Sequence, residues 1–275
     1  MMQMPLCRAK LSLLQLAKFQ KNFVEVELLR QFEGKTYLIT GASSGIGRAT
    51  AVNLASAGSN IVGMARDRVR LDATISALPG DGHEGIAGDA ADEQIVAAMV
   101  KIGRARGGFD GAVLAAGTHA MMPLMMAGNA SFDEMYRTNV LTAVNGLKIM
   151  NKGANKAGAA VVLLSSVAAE RGSVGFVAYA AAKAALIGIA KTAAIEMAPR
   201  KIRVNTIIAG VVDTPLSEKW MGQLSDAQRA EVEASHLLGI GKPENIVDAI
   251  TFLISDGARW VTGAELLVDG GLSVR

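Results

Sequence analysis

After residue 34, short apolar runs of four to six residues alternate with longer segments of helical pattern. The apolar runs are continuous and lack period-2 alternation, which is typical of strands buried on both faces of a parallel sheet. They predict strands at Thr36–Thr40, Asn60–Met64, Glu84–Ala87, Gly111–Ala115, Ala160–Leu164, Arg203–Ile208 and Glu265–Val268. Helices are predicted between them, near Ile46–Ala57, Glu93–Arg106, Phe132–Asn151, Tyr179–Met197 and Glu244–Ser255.

This repetition of strand and helix predicts the fold class. It favours an α/β, doubly wound (Rossmann-type) parallel sheet of about seven strands, with right-handed crossovers and helices on both faces. No linker-like stretch follows residue 34, so we expect a single domain at 34–275 after an N-terminal extension at 1–33. Ligands bind such sheets beyond the carboxyl ends of the strands. The segments that follow each strand are therefore the places to search for chemistry.

Composition narrows the class of protein further. With 51% hydrophobic residues and a single cysteine, Cys7, the chain is neither disordered nor a disulfide scaffold. Its net charge of +3 is too weak to suggest a nucleic-acid partner, and two of those charges lie in the first 34 residues. The histidines (His83, His119 and His236) are far apart in sequence, so no metal site is predicted and each is expected to be a surface or packing residue.

The sequence also bears on location. No apolar run reaches the ~18–20 residues that span a bilayer, so we expect a cytoplasmic protein without a membrane partner. The first 24 residues contain no acidic residue and several basic ones. An organellar transit peptide therefore remains an alternative, beside a frayed helix or a start codon placed too early.

The first predicted strand runs into a glycine-rich turn, residues 41–47, that opens a helix. Its glycines allow a sharp turn and a close approach to a pyrophosphate, and a helix N-terminus favours an anion. The spacing G-x-x-x-G-x-G lacks the Lys-Ser/Thr of a P-loop, which argues against an NTPase. An ordinary turn is the alternative, but the place between a strand and a helix favours a dinucleotide. The predicted cofactor contacts here are Gly41, Ser43, Ser44, Gly45, Ile46 and Gly47.

The end of the second strand bears on which dinucleotide binds. An acidic residue here would accept hydrogen bonds from the adenosine ribose, whereas an arginine accommodates a 2′-phosphate. Ala65 stands where the acid is expected and Arg66 follows it, which favours NADP(H) over NAD(H). The alternative is that Arg66 pairs with Asp67 or another carboxylate. Asp89, after the third strand, is predicted to meet the adenine edge, or else to cap a helix.

Tyr179 and Lys183 lie four residues apart at the start of a helix, so both side chains share one face. A phenol with a pKa near ~10 is a poor acid–base group at neutral pH until a nearby positive charge lowers that pKa. Taken alone, this spacing often arises by chance and would indicate only a solvated helix face. It gains weight from Ser166 at the end of the fifth strand and from Asn139 on the preceding helix.

With these residues in place, the chain resembles the short-chain dehydrogenases/reductases. The resemblance is to the single-domain branch that includes 3-oxoacyl-acyl-carrier-protein reductases, and it covers roughly residues 34–275. The matching residues are T-G-A-S-S-G-I-G at 40–47, Asp89, A-A-G at 115–117, Asn139, S-S at 165–166, Y-A-A-A-K at 179–183, R-V-N at 203–205, Thr214 and V-D-G-G at 268–271.

The resemblance implies a role for each of these positions. Tyr179 would be the general acid–base, and Ser166 would hydrogen-bond the substrate oxygen. Lys183 would bind the nicotinamide ribose and lower the pKa of Tyr179, and Asn139 would hold a water that links Lys183 to solvent. The cofactor contacts implied elsewhere are Ala116, Gly117, Tyr179, Lys183, Val212 and Thr214.

Three features depart from the family pattern. The Asn-Asn that often precedes Ala-Gly after the fourth strand is replaced by Leu114 and Ala115. The proline that usually precedes Gly210 is Ala209, and the extension at 1–33 has no counterpart in the compact family core. None of these departures removes a candidate catalytic group, although the support of the cofactor wall must differ.

The expected function is an NADP(H)-dependent oxidoreductase that transfers a hydride between nicotinamide and a carbonyl or secondary alcohol, with a 3-oxoacyl thioester as one candidate substrate. The alternatives are an NAD-linked alcohol or sugar dehydrogenase and a non-catalytic cofactor-binding sensor or scaffold. A lid over residues Leu216–His236, formed as a helix pair, and the methionine-rich segment His119–Met126 are expected to shape the substrate site. Phe176, Trp220 and Met221 are the predicted pocket residues. A homo-oligomer, a tetramer or a dimer, is expected by analogy with the family.

Overall fold

The computed structural model of the chain describes residues 30–275. Seven parallel strands form one sheet in the order β3-β2-β1-β4-β5-β6-β7. Their bounds are β1 Thr36–Thr40, β2 Asn60–Ala65, β3 Glu84–Ala87, β4 Gly111–Leu114, β5 Ala159–Ser166, β6 Ile202–Ala209 and β7 Glu265–Val268. The doubly wound, Rossmann-type α/β fold is therefore confirmed.

The helices lie between the strands. Their bounds are α1 Gly45–Ser56, α2 Arg68–Ser76, α3 Gln94–Ala105, α4 Asn129–Met135, α5 Thr142–Gly153, α6 Val177–Met197, α7 Pro215–Met221, α8 Asp226–Ser235 and α9 Pro243–Ile254. The expected helix pair between 216 and 236 is present as α7 and α8. The pattern missed α2, because this helix buries only Leu71 and Thr74 and shows almost no apolar stripe.

The long helix predicted over Phe132–Asn151 is interrupted. A π-helical segment, Tyr136–Leu141, joins α4 to α5. A π-helical turn holds more residues than an α-helical one and occurs often at functional sites. Here it contains Asn139, one of the predicted catalytic residues.

Burial follows the position of each strand in the sheet. β1 and β4 are buried throughout, and apolar clusters cover both faces, one around Ile39 and the other around Leu38. β3 is only half-buried, and β7 alternates exposed and half-buried residues. The expectation of strands buried on both faces thus fails at the two edges, because an edge strand has a neighbour on one side only.

The strand order changes direction between β1 and β4. From β1 the chain proceeds outward to β2 and β3, returns to β4 beside β1, and then proceeds to β7 at the other edge. The crossovers on the two sides of this point lie on opposite faces, so a crevice opens beyond the carboxyl ends of β1 and β4. The predicted site residues follow these and neighbouring strands.

The helix that follows β5 is unusually apolar. By length and composition alone, Val177–Arg200 could cross a membrane, although the sequence holds no uninterrupted apolar run of that length. This helix packs against β5 and β6 and carries the buried Lys183. Its position against the sheet accounts for the apolar residues on its buried face.

The chain just before β1 packs on the domain. Phe32 is 1% exposed and joins the core cluster around Ile39 and Leu54. Its carbonyl accepts a hydrogen bond of 2.8 Å from the Ser59 hydroxyl, and its ring lies 6.1 Å from that of Tyr37. Of the predicted N-terminal extension, residues 1–29 and Cys7 among them lie outside the described residues. The boundary at residue 34 stays a prediction, but the core includes Phe32.

Replacing Phe32 tests this packing. We expect Phe32→Ala to lower the free energy of unfolding by about 3–4 kcal/mol, since it removes a ring from a closed core. Phe252→Ala is the control, because Phe252 is 48% exposed and should cost less than half as much. Chemical denaturation measures both, and equal costs would contradict the assignment of Phe32 to the core.

Candidate active site

The segments beyond the carboxyl ends of the strands enclose a cavity of about 760 Å³. Its wall comes from the loops after β1, β4, β5 and β6, from α6, and from the α7–α8 helix pair. Asn139, Ser166, Tyr179 and Lys183 all line it. Residues that are up to 44 positions apart in sequence therefore meet in one crevice.

Of the glycine-rich turn 41–47, Ile46 lines the cavity and the other residues lie behind it. Gly41 and Gly45 have φ angles of 72° and 51°, which favour glycine. A side chain at Gly47 would come within 2.3 Å of the Gly41 carbonyl oxygen, so α1 begins directly against the turn. Within the described residues, the hydroxyls of Ser43 and Ser44 have no hydrogen-bond partner, and Ser44 makes no side-chain cap on α1. The N–H groups at the start of α1 are thus left for a ligand such as a diphosphate.

The candidate adenosine contacts, Arg66 and Asp89, differ in their ion pairs and hydrogen bonds within the protein. Arg66 is exposed directly after β2 and, among the described residues, its side chain has no ion-pair partner. Asp67 instead pairs with Arg70 at 2.7 Å and caps α2, so the alternative pairing of Arg66 with Asp67 is absent. The Asp89 carboxylate accepts a hydrogen bond from the Ala91 N–H and forms an ion pair with Arg137 at 2.5 Å. It does not cap α3, which begins five residues later at Gln94.

Tyr179 lies on the first turns of α6, with its hydroxyl next to Ser166. Burial raises the pKa of the Tyr179 phenol above its usual value, and a hydrogen bond with the Ser166 side chain acts in the opposite direction. The phenol therefore keeps its proton at neutral pH in the protein alone. Ser166 also accepts a hydrogen bond of 3.2 Å from the Ala168 N–H, which orients its hydroxyl.

Lys183 is the buried cation of the site. Only 7% of the residue is exposed, and its Nζ donates a 2.8 Å hydrogen bond to the Leu164 carbonyl. Burial lowers the pKa of Lys183 to about 8. Nζ lies 5.6 Å from the centroid of the Tyr179 ring. Burial alone sets the upward direction of the pKa shift of Tyr179, and the role of Lys183 in lowering that pKa stays a prediction.

Asn139 faces the same space from the π-helical segment. Its Nδ2 donates hydrogen bonds of 3.0 Å to the carbonyls of Thr118 and Met135. Its Oδ1 is buried without a partner, and a side chain at Gly117 would come within 2.6 Å of it. A buried acceptor that the described chain leaves unpaired is a place for a bound water or a ligand donor.

The two serines at the end of β5 have different partners, because successive side chains on a strand point to opposite faces. The Ser165 hydroxyl donates a 2.8 Å hydrogen bond to the backbone carbonyl of Lys183 and so joins β5 to α6. Both serines line the cavity, but Ser166 is the next residue, so its side chain points to the opposite face and contacts Tyr179. The choice of Ser166 as the catalytic serine stays a prediction.

The loop after β6 closes the other side of the glycine turn. Val212 is 6% exposed, and Thr214 caps α7 in a reciprocal hydrogen-bonded pair with Ser217. The Thr214 methyl carbon lies 3.2 Å from where a side chain at Gly45 would begin. The β1 and β6 loops are therefore in contact, as a cofactor that bridges them requires.

The support of the fourth-strand turn differs from the family pattern as expected. Leu114, in the place of the first asparagine, is buried and packs against Gly146. The Ala116 N–H donates a 3.1 Å hydrogen bond to the hydroxyl of Thr40, at the end of β1. A β1 side chain thus braces the turn that contains Ala116 and Gly117.

Aromatic side chains line the cavity beside Tyr179. The rings of Phe176 and Trp220 lie 5.6 Å apart, and Phe176 lies 6.0 Å from Tyr179. Met221, also predicted here, is half-buried but is not part of the cavity wall. His119 begins the segment His119–Met126 that was expected to shape the substrate site, and it lines the cavity. Its ring lies 6.0 Å from Tyr179 and 5.9 Å from Phe176, which the expectation of a surface or packing histidine did not specify.

The sequence comparisons agree with this geometry. The family model described as "Enoyl-(Acyl carrier protein) reductase" matches residues 41–273 of the chain. The chain belongs to the short-chain dehydrogenase/reductase family. It is therefore an NAD(P)-dependent oxidoreductase that acts on alcohol or carbonyl groups.

Curated relatives match along nearly the whole of their length. "3-oxoacyl-[acyl-carrier-protein] reductase FabG" of Escherichia coli (strain K12) is 35% identical over 88% of this chain and 98% of the relative. "L-xylulose reductase" of Mesocricetus auratus is 34% identical over 88% and 97%. "Dehydrogenase/reductase SDR family member 4" of Homo sapiens is 32% identical over 88% of each chain. The first two of these names state different substrates, and the third states none.

The buried Lys183 predicts a signature in the pH dependence of stability. Its pKa is about 8 in the folded protein and about 10.4 in an unfolded chain, so between these values the unfolded chain binds more protons. Stability therefore rises with pH across this window. We expect the free energy of unfolding of the wild type, relative to Lys183→Met, to increase between about pH 8 and pH 10. Parallel curves for the two proteins would contradict the depressed pKa.

Proposed function

We propose that the protein is an NADP(H)-dependent carbonyl reductase, for which a 3-oxoacyl thioester is the first substrate to test. The observation that carries the proposal is the convergence of Asn139, Ser166, Tyr179 and Lys183 in one cavity at the point where the strand order reverses. The preference for NADP(H) is supported by Ala65, which stands where NAD-binding sheets of this class carry an acidic residue, and by the exposed Arg66 that follows it after β2.

The residues present fit a dinucleotide. The turn 41–47 would hold the diphosphate, Arg66 the 2′-phosphate, and Asp89 the adenine edge. Ala116, Gly117, Val212 and Thr214 would contact the nicotinamide half, and Tyr179 and Lys183 would contact the nicotinamide ribose. When bound, the nicotinamide supplies the hydride in reduction or accepts it in oxidation.

The side chains of the protein handle the proton. Because burial keeps the Tyr179 phenol protonated, it can donate its proton to a carbonyl oxygen that becomes an alkoxide during reduction. Ser166 is placed to donate a hydrogen bond to the same oxygen. Lys183, with a pKa of about 8, can exchange a proton near neutral pH and restore the one that Tyr179 has lost. The unpaired Oδ1 of Asn139 would hold a water on the route to solvent.

The relatives support more than one substrate class. Two are named for 3-oxoacyl-acyl-carrier-protein and L-xylulose reduction, so an NAD-linked alcohol or sugar dehydrogenase is the alternative. The wall near Tyr179 is aromatic (Phe176 and Trp220), which favours an apolar carbonyl over a sugar. The four-residue set argues against a non-catalytic sensor, because binding a nucleotide does not need it.

The wider setting of the enzyme is also a proposal. Residues 34–275 would form the catalytic domain, after an extension at 1–33, in a cytoplasmic homo-oligomer of two or four copies. Large apolar side chains on the surface support association: Trp260 is 97% exposed and Val274 is 76% exposed.

Arg66→Ala tests the cofactor preference. Loss of a charge-assisted contact to the 2′-phosphate should raise the KM for NADPH about tenfold or more and leave the KM for NADH unchanged. The control is Arg68→Ala, since Arg68 is 64% exposed and pairs with Asp72. Steady-state kinetics with both cofactors measures the ratio, and a ratio unchanged by Arg66→Ala would contradict the preference.

Tyr179→Phe tests the chemistry. Removing the proton donor should lower turnover of a carbonyl panel at least about a hundredfold, while the binding of NADPH, followed by its fluorescence, stays close to that of the wild type. Tyr136→Phe is the matched control, because Tyr136 is 50% exposed and does not line the cavity. Undiminished turnover in Tyr179→Phe would show that another group supplies the proton.

A further inference from the structure

His119 lies where the β4 loop meets the α7–α8 helix pair. The carbonyl of the preceding residue, Thr118, accepts the Nδ2 hydrogen bond of Asn139, which fixes the loop at this point. The His119 Nε2 lies 3.1 Å from the Leu216 carbonyl oxygen on the first turn of α7. A carbonyl can only accept, so Nε2 carries the proton and donates.

This contact is unusual among those that hold α7. The helix is joined to its own strand connection by the Thr214–Ser217 cap and by the Ser217 hydroxyl, which donates to the Val212 carbonyl. It is joined to α8 through Arg229, which donates to the Met221 carbonyl. Within residues 30–275, the bond from His119 is the one hydrogen bond that ties α7 to the β4 loop.

The same imidazole ring also contacts the candidate site. It meets Tyr179 edge-on, at an interplanar angle of 81°, and Phe176 at 76°. Phe176 in turn contacts Trp220, which lies on α7. Burial and the positive charges of Lys219 and Lys183 lower the pKa of His119, so the ring is neutral at physiological pH and suits this apolar setting.

We propose that His119 is a positioning residue that holds α7 over the cavity through its hydrogen bond to the Leu216 carbonyl, so that Trp220 and Phe176 enclose the substrate next to Tyr179. The proposal rests on the proposed carbonyl reduction for its kinetic consequence only. Its structural consequence concerns the attachment of the helix pair and holds for the protein without cofactor or substrate.

Two variants separate the hydrogen bond from the ring. His119→Phe keeps an aromatic ring but loses the donor, whereas His119→Gln keeps an N–H near the place of Nε2 but loses the ring. Because one hydrogen bond is lost, we expect amide hydrogen exchange across residues 215–235 to quicken about fivefold in His119→Phe and to return close to the wild-type rate in His119→Gln. The measurement uses the full chain without ligands.

The same two variants of His119 also give a kinetic test. In His119→Phe, the KM for a carbonyl substrate should rise about fivefold, with kcat and the KM for NADPH nearly unchanged, and His119→Gln should restore it. The control is His83→Phe, which removes a comparable Nε2 contact, to the Pro79 carbonyl at 2.9 Å, far from the cavity. It should change neither the exchange of 215–235 nor the KM.

The outcomes discriminate between the two proposals. Unchanged exchange of 215–235 in His119→Phe would overturn the role of His119, whatever the turnover. Wild-type behaviour in His119→Phe together with loss in His119→Gln would overturn it too, by assigning the effect to the ring. An absence of turnover with every carbonyl would defeat the proposed function and leave the exchange result to decide on His119.

Discussion

The site depends on how α6 is fixed to β5 around a buried cation. An ammonium group out of water is costly unless it has a partner, and Lys183 finds one in the Leu164 carbonyl. In the opposite direction, the Ser165 hydroxyl donates to the backbone carbonyl of Lys183. These two bonds fix the rotation and height of the helix against the strand. Tyr179, one turn earlier, is thereby set opposite Ser166, so that the proposed acid, its hydrogen-bond partner and the cation lie together on α6 and β5.

Much of this arrangement could be predicted from the sequence because it follows simple periodicities. The strands were found to within two residues, since continuous apolar runs mark a covered parallel sheet. The i, i+4 spacing placed Tyr179 and Lys183 on one face of α6. The alternation of side chains along a strand explains why Ser165 bonds the Lys183 carbonyl whereas Ser166 contacts Tyr179. Each of these features is local, so neighbouring residues carry the whole signal.

The remainder depends on contacts that no local pattern encodes. The polar helix α2 has no apolar stripe by which the sequence pattern could reveal it. The π-helical segment around Asn139 reads as ordinary helix, because one extra residue in a turn leaves the composition unchanged. Met221 and Trp220 are adjacent on a short helix, and only its orientation over the cavity decides which of them lines the wall. His119 lies in a loop that has no periodic pattern. Its partners, Phe176 and Leu216, lie 57 and 97 residues further along the chain.

Phe32 and the cavity lie at opposite ends of the sheet. Its contacts, with Tyr37 and the Ser59 hydroxyl, lie at the amino ends of β1 and β2, whereas the cavity opens beyond the carboxyl ends. The chain therefore enters the described fold on the side remote from the catalytic crevice. A fusion partner or an affinity tag joined directly at residue 30 would therefore begin at the end of the sheet opposite the cavity, which makes this end the better one for attaching a label.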